Sequence, residues 1–330
     1  MLDLSPRNII TRLAERLRIG RERVPPGDIT APLLTEREIA DLARRVQALR
    51  LASRHGLQVH HRHIGDFRSA YLGRGLDFEE VRPYQPGDDT RDMDWRTTAR
   101  TGKAYLKIYR EEHHPALHVV VDRGASMRFG TRARLKATQA ARIAAVFAFA
   151  AENTCVGGTV LQPEPLVLPC RHGEEGAAAL VRAAAAPCPP IVHPGEADRA
   201  GYGVRLRHLD ALLPPGSKLV LISDFTLLQD ADRPLLARLA SRHRTYAVQV
   251  LDAVETALPE LGMVRFLDLA TGKARQLDAG SLQVREAYAR EALGLIERRS
   301  AWLRDAGAAY YRCTTGDDPV ELFAQIAAHE

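Results

Sequence analysis

The chain has 330 residues, of which 45% are hydrophobic and 26% are charged, a composition typical of folded globular proteins. Its 46 basic and 41 acidic residues leave a net charge of +5. This excess is scattered, which argues against a nucleic-acid groove, where basic residues cluster beside stacking aromatic rings. The amino terminus lacks a signal-peptide pattern and no apolar run approaches the length of a bilayer span, so we expect a cytoplasmic protein without membrane insertion.

The amino-terminal part, residues 1–58, is predicted to be a helical segment. A turn at residues 24–28, with the sequence Val-Pro-Pro-Gly-Asp, interrupts it. Thr35 followed by Glu38 matches a capping box, which predicts that a helix begins there. Apolar residues then recur at helical spacing from Ile39 to Leu49, as expected for a helix with one buried face.

Residues 59–115 differ from their surroundings in composition. They are dense in Gly, Asp, Arg and aromatic residues, and they include a strand-like run at 104–109. We therefore predict a small β-containing segment that packs on the main domain.

From residue 116 to residue 330, apolar strands alternate with helices. Continuous Val, Leu and Ile runs separated by helices predict an α/β fold with a mostly parallel central sheet and helices on both faces. The predicted strands are 117–122, 156–161, 218–224, 245–251, 264–269 and 308–313. The predicted helices are 133–152, 231–243 and 283–305, with a last helix from residue 318.

The four cysteines are far apart along the chain, at Cys155, Cys170, Cys188 and Cys313, and no C-x-x-C pair occurs. Isolated thiols fit a reducing compartment better than a disulfide framework. We therefore expect free thiols.

Two predicted strands end in a carboxylate, at Asp122 and Asp224. Ligands of open parallel sheets bind at the carboxyl ends of the strands, near the point where the strand order reverses. If the two strands are neighbours, both carboxylates lie together at that edge, and Ser126 adds a hydroxyl four residues after Asp122.

The run from Asp122 to Ser126 resembles the D-x-S-x-S element of von Willebrand factor A domains, which hold a divalent cation at a metal-ion-dependent adhesion site. The resemblance implies a Mg²⁺ site at Asp122, Ser126 and Asp224, and in the complete site a partner's carboxylate fills the metal shell. Here Gly124 replaces the first hydroxyl, and residues 198–213 lack the expected threonine. The site is therefore degenerate. Mg²⁺ keeps water ligands readily, so three protein ligands can suffice, or the aspartates only cap turns and helix amino termini.

A longer resemblance, over residues 60–128, is to the bacterial family called domain of unknown function 58. It rests on the run 75–89 with the residues that follow to Lys103, and residues 221–225 add a second match. The resemblance implies a von Willebrand factor A-like domain of Rossmann-type topology that works with a MoxR-type AAA+ ATPase. Its signature residues, assigned to partner binding or to structure, are Asp77, Glu79, Arg82, Tyr84, Gly87, Asp88, Asp89, Arg91, Asp94, Trp95, Arg96 and Arg100.

The signature segment has two interpretations that the sequence leaves open. Alternating Arg and carboxylate residues beside Trp95 can form bidentate pairs around an aromatic packing anchor, which would fasten this segment to the sheet domain. The same residues can instead form a recognition surface for a protein partner.

Motifs of common enzymes are absent from the sequence. It contains neither the G-x-x-x-x-G-K-[ST] loop of ATPases nor the G-x-S-x-G elbow of α/β hydrolases. We therefore predict a non-enzymatic adaptor, without catalytic residues, that assists a MoxR-type ATPase in assembly or maturation of a client. The alternative is a metal-assisted hydrolase that uses Asp122 and Asp224.

Overall fold

The structure is a computed structural model, and it describes residues 29–56, 77–85, 89, 91, 93–110, 116–151, 154–162, 164–188, 202–267 and 274–329. These residues belong to two compact units. The larger unit contains the described residues up to 56 and from 116 onward, and the smaller one contains those between 77 and 110. The turn predicted at 24–28 lies outside the described residues.

The strands are β1 (Asp77–Pro83), β2 (Tyr105–Arg110), β3 (Ala116–Asp122), β4 (Cys155–Leu161), β5 (Leu166–His172), β6 (Lys218–Ser223), β7 (Arg244–Leu251), β8 (Met263–Leu267), β9 (Ala274–Asp278) and β10 (Ala309–Thr314). Six of them form the central sheet of the larger unit, in the order β10-β7-β6-β3-β4-β5. Neighbouring strands are parallel except β4 and β5, which are antiparallel. The predicted α/β fold with a mostly parallel sheet is confirmed.

The helices are α1 (Glu36–Gly56), α2 (Trp95–Thr101), α3 (Lys136–Ala150), α4 (Gly173–Ala185), α5 (Tyr202–Leu206), α6 (Leu209–Leu212), α7 (Arg233–Arg242), α8 (Ala253–Thr256), α9 (Leu282–Asp305) and α10 (Pro319–Ala328). One hydrophobic core joins α1, α3, α4 and α10 to one face of the sheet. A second core joins α5, α6, α7 and α9 to the other face. Both faces are therefore covered, which is why the central strands are apolar throughout.

Helix α1 belongs to the larger unit. Its predicted capping box is present: the backbone N–H of Thr35 donates to Glu38 Oε2 (2.9 Å), and the N–H of Glu38 donates to Thr35 Oγ1 (3.3 Å). Leu42 and Val46 are buried in the first core. Capping and burial of one apolar face together explain why this sequence forms a helix here.

The smaller unit contains an antiparallel pair of strands, β1 and β2, and the helix α2, which lies between them in the sequence. Asp94 caps α2 by accepting hydrogen bonds from the N–H groups of Arg96 and Thr97. Gly102 ends the helix with a positive φ of 70°, a conformation that favours glycine.

Strand β5 and helix α4 are not among the predicted elements. Strand β5 is a mostly exposed edge strand that contains Pro169, and proline is tolerated at an edge because no neighbour needs its missing N–H. Its sequence therefore lacks the continuous apolar pattern that indicates a buried strand.

The expectation of four free thiols is wrong for one pair. Cys155 in β4 and Cys170 in β5 form a disulfide, with Cα atoms 5.5 Å apart, because the antiparallel pairing brings residues distant in sequence side by side. Cys188 and Cys313 are free and buried.

Among the helices in the described part of the chain, none combines the length and the apolar character that a membrane-spanning helix needs.

Candidate functional site

Three adjacent parallel strands end in aspartates at one edge of the sheet. Asp122 ends β3, Asp224 follows β6 directly, and Asp252 follows β7 directly. All three side chains are buried. Strand β3 is also the point where the strand order reverses, since β4 lies on one side of it and β6 on the other. We call this the carboxyl edge; it is the usual ligand position of open α/β sheets.

Asp122 is held by one donor from the turn after β3 and by one from the end of β6. Its Oδ1 accepts a hydrogen bond from the N–H of Gly124 (2.8 Å), and its Oδ2 accepts one from Ser223 Oγ (2.6 Å). Burial and the neighbouring charge of Asp224 raise the pKa of Asp122 despite these hydrogen bonds. The structure thus brings together the two aspartates that the sequence analysis paired.

Asp224 is bonded on one side to the turn that follows it. Its Oδ1 accepts hydrogen bonds from the N–H (2.9 Å) and the hydroxyl (2.8 Å) of Thr226, whose Oγ1 also lies 3.1 Å from Ser126 Oγ. Phe225, between the two residues, has a φ of 54° and a buried ring that packs on Tyr202. A positive φ is costly for a phenylalanine, so packing of the ring helps to fix this turn and with it the position of Asp224.

On its other side Asp224 meets a buried lysine. Lys136 Nζ lies 2.8 Å from Asp224 Oδ2 and 2.6 Å from Glu255 Oε1. Lys136 is the first residue of α3, and its side chain is 0% exposed. A lysine is almost never fully buried unless it is paired, so this ion triad, Lys136–Asp224–Glu255, is a structural centre of the carboxyl edge.

Glu255 is oriented by a second capping box. Its Oε2 accepts a hydrogen bond from the N–H of Asp252 (2.7 Å), while Asp252 Oδ1 accepts one from the N–H of Val254 (3.2 Å). Asp252 also binds the N–H and hydroxyl of Thr131 and the hydroxyl of Thr315. It therefore ties the ends of β7 and β10 to the loop before α3.

Within the ion triad, Lys136 and Asp224 stabilise each other's charged form. Burial lowers the pKa of Lys136, but the Asp224 and Glu255 carboxylates outweigh it, and the pKa lies above the ordinary lysine value. Burial raises the pKa of Asp224, but the ammonium of Lys136 outweighs it and holds the pKa below the usual range. The pKa of Glu255 is raised because burial outweighs its contact with Lys136. The lysine is therefore charged, and Asp224 is its main counter-ion.

The oxygen ligands that the sequence analysis assigned to Mg²⁺ already have donors within the protein. Both oxygens of Asp122 and both oxygens of Asp224 accept internal hydrogen bonds. The residue beside Asp224 is the Lys136 ammonium rather than a further oxygen ligand. Within the described residues, no group of three or more His, Cys, Asp and Glu side chains is arranged to hold a metal ion. Binding of Mg²⁺ at Asp122, Ser126 and Asp224 stays a prediction.

Five residues of the carboxyl edge were not among the predicted site residues: Lys136, Ser223, Thr226, Asp252 and Glu255. Three of them had a signal in the sequence. Lys136 is the one charged residue among the first four residues of α3, and Asp252 with Glu255 has the spacing of a capping box.

The structure describes the signature segment in part. Asp77 and Glu79 lie in β1, Tyr84 follows that strand, and Asp94 is the helix cap described above, while Gly87 and Asp88 lie outside the described residues. The remaining signature residues are Arg82, which is half-buried, and Asp89, Arg91, Trp95, Arg96 and Arg100, which are exposed.

Trp95 is 68% exposed, and its interpretation as an anchor that fastens this segment to the sheet domain stays a prediction. The role of the signature residues in partner binding stays a prediction.

Comparison with known proteins identifies relatives of uncharacterised function. The family described as "Protein of unknown function DUF58" matches residues 80–295. Uncharacterised proteins of Mycobacterium bovis and of Mycobacterium tuberculosis are each 29% identical over 307 residues, which covers 90% of this chain and 93% of the relative.

Solved structures with weak similarity include the conserved hypothetical protein BatB from Bacteroides thetaiotaomicron, at a TM-score of 0.41 and 12% identity. An aerotolerance-related membrane protein from Bacteroides fragilis has a TM-score of 0.42 and 14% identity. Each similarity covers 66% of this chain and 100% of the other.

Proposed function

The chain belongs to the family described as protein of unknown function DUF58, and from this membership we propose that it is a non-enzymatic protein-interaction module. In this proposal it has a von Willebrand factor A-like domain and works with a MoxR-type AAA+ ATPase in the assembly or maturation of a client. The strand order, with the first strand of the larger unit in the middle of the sheet and an antiparallel edge strand, is consistent with such a domain.

The observation that carries the proposal is a pair of hydroxyl groups at the carboxyl edge. Ser126 and Thr226 are half-buried, whereas the Asp122 and Asp224 carboxylates beneath them are 2% and 1% exposed. A partner that docks at this edge therefore meets hydroxyl groups supported by fixed carboxylates. Such a surface suits hydrogen bonding to a protein partner.

The same burial disfavours the alternative, a metal-assisted hydrolase that uses Asp122 and Asp224. A catalytic carboxylate must come within hydrogen-bond reach of the group on which it acts. Here internal donors bind both oxygens of each carboxylate, and neither side chain reaches the surface.

The direct test is the affinity of the full-length protein for a MoxR-type AAA+ ATPase from the same organism. We expect binding in the micromolar range or tighter, and we expect Ser126→Arg to weaken it by about tenfold or more, since a bulky side chain at the centre of an interface prevents close contact. Isothermal titration calorimetry measures both values.

The matched control is Ser241→Arg. Ser241 is exposed and lies in α7, just before β7 begins, at the opposite edge of the sheet. This variant should bind like the wild type. The proposal would be refuted if the wild-type protein and the ATPase did not associate at micromolar concentration. If both variants lost affinity equally, the carboxyl edge would not be the binding surface.

The exposed Trp95 suggests a second contact through the signature segment, because exposed tryptophans are frequent anchors of protein interfaces. In the same titration, Trp95→Ala tests this part of the proposal separately from the carboxyl edge.

A further inference from the structure

The geometry points to Lys136 as the built-in cation of the carboxyl edge: its ammonium pairs with Asp224, one of the three residues that the resemblance assigns to a divalent metal ion. We infer that the edge is complete without metal and that it does not take up Mg²⁺ or Mn²⁺. The consequence for partner binding rests on the proposed function; the consequence for metal binding does not.

The first argument is the position of the ammonium. Lys136 Nζ is within hydrogen-bond distance of carboxylates from two different turns, Asp224 after β6 and Glu255 in α8. A metal ion at a strand edge has the same task, since it neutralises converging carboxylates and joins the loops that carry them. The lysine performs both tasks with one covalently attached charge.

The second argument is electrostatic. A divalent ion coordinated by Asp224 would lie close to the Lys136 ammonium, in a place where 0% of the lysine side chain is exposed to screening solvent. Like charges at a few ångströms repel strongly when they are shielded from water. The ion would also have to replace the donors that Asp122 and Asp224 already have, Gly124, Ser223 and Thr226 among them.

The third argument is that the lysine and its partners are fixed before any ligand arrives. The N–H of Lys136 donates to the carbonyl of Phe129 (2.7 Å), which holds the start of α3 in place. Glu255 is fixed by its capping box with Asp252. Side chains fixed by their own backbone contacts hold a charge cluster in one geometry, so no metal is needed to organise these loops.

The test measures metal binding by the full-length protein. Electron paramagnetic resonance of added Mn²⁺ should show only the free ion with the wild type, and Mg²⁺ should leave the unfolding temperature unchanged. Wild-type protein that binds Mn²⁺ stoichiometrically, and loses that binding in Asp122→Ala, would overturn the inference.

Replacement of the lysine gives the converse result. Lys136→Ala removes the ammonium and leaves Asp224 and Glu255 beside the vacated space, so this variant should gain Mn²⁺ binding and should be stabilised by Mg²⁺. The double variant with Lys136→Ala and Asp224→Asn should lose this gained Mn²⁺ binding. A folded Lys136→Ala protein with no more affinity for Mn²⁺ than the wild type would contradict the inference. If that variant does not fold, the wild-type measurement still decides.

Association with the ATPase provides an independent readout. With the ATPase in its nucleotide-free form, EDTA removes no Mg²⁺–nucleotide from it, and the affinity should not change when EDTA is added. Loss of binding in EDTA would overturn the inference and leave the proposed function intact. Absence of any association would refute the proposed function, while the Mn²⁺ measurement would still decide the inference.

Discussion

Strand β3 contributes to two buried polar clusters. The two clusters accommodate ionisable groups in the protein interior in opposite ways. At the end of β3, Asp122 belongs to the carboxyl edge, where Asp224 and Glu255 are paired with Lys136. In its middle, His118 is 3% exposed, and its Nε2 lies 2.9 Å from Thr159 Oγ1, which in turn lies 3.2 Å from His208 Nε2. We call this second group the histidine cluster.

His118, the buried member of the histidine cluster, is uncharged at neutral pH. Burial, together with the like charges that His208 and His243 would carry, lowers the pKa of His118 to about 3. A buried ionisable group must be either paired or discharged, because an isolated charge in the interior is very costly. Asp224 keeps its charge by pairing with Lys136 and His118 loses its charge, and this difference predicts how each cluster responds to mutation and to pH.

The largest effect is expected from removing the cation of the carboxyl edge. Lys136→Met should lower the free energy of unfolding by about 3–5 kcal/mol, because it leaves buried carboxylates without a counter-ion. Urea denaturation at neutral pH measures the change. The matched control is Arg45→Met, which removes an ion pair to Asp318 whose side chains are 39% and 26% exposed; it should cost less than about 1 kcal/mol. Equal losses of stability in Lys136→Met and Arg45→Met would mean that burial does not determine how much an ion pair contributes to stability.

The second effect concerns the histidine cluster and pH. The unfolded chain binds a proton at His118 near its ordinary pKa of 6.5, whereas the folded protein does so only near 3. Between these values the unfolded state binds more protons, so His118 makes stability fall as the pH falls below about 6.5, by about 2 kcal/mol at about pH 5.

Urea denaturation at neutral pH and at about pH 5 isolates this contribution when variants are compared. His118→Gln should show a smaller loss of stability on acidification than the wild type, by the amount assigned to His118. The exposed His329 provides the control, since His329→Gln should behave like the wild type. If His118→Gln lost as much stability on acidification as the wild type, His118 would not be the group responsible.

The smallest effect is a gain of stability. Burial and the charge of Asp224 raise the pKa of Asp122, so its ionised form is destabilising at neutral pH. Asp122→Asn removes that charge and should raise the free energy of unfolding by about 1–2 kcal/mol. Thermal or urea denaturation measures it.

Asp252→Asn is the comparison variant for this gain. Asp252 accepts hydrogen bonds from Thr131, Thr315 and Val254, and an amide nitrogen cannot accept them all, so this variant should lose about 1–2 kcal/mol. A loss in Asp122→Asn similar to that in Asp252→Asn would show that hydrogen bonding at Asp122 outweighs charge repulsion.

The sequence by itself determined the class of fold and one part of the site, the pair of aspartates Asp122 and Asp224. Continuous apolar runs such as Val119–Val121 predict strands covered on both faces, and strands that end in aspartate predict that Asp122 and Asp224 share an edge once their strands are neighbours. The helix start at Thr35 followed from a local capping pattern. The strand and helix inferences depend on residues close in sequence, where periodicity and hydrogen-bonding geometry act directly.

Only the tertiary structure decided which charges meet. Lys136 is 88 residues from Asp224 and 119 residues from Glu255, and no periodic pattern connects positions so far apart. Their contact depends on β6 and β7 lying beside β3 and on the placement of the first turn of α3 above that edge. Strand order is fixed by packing of the whole sheet, and the buried ammonium at its carboxyl edge is a consequence of that packing.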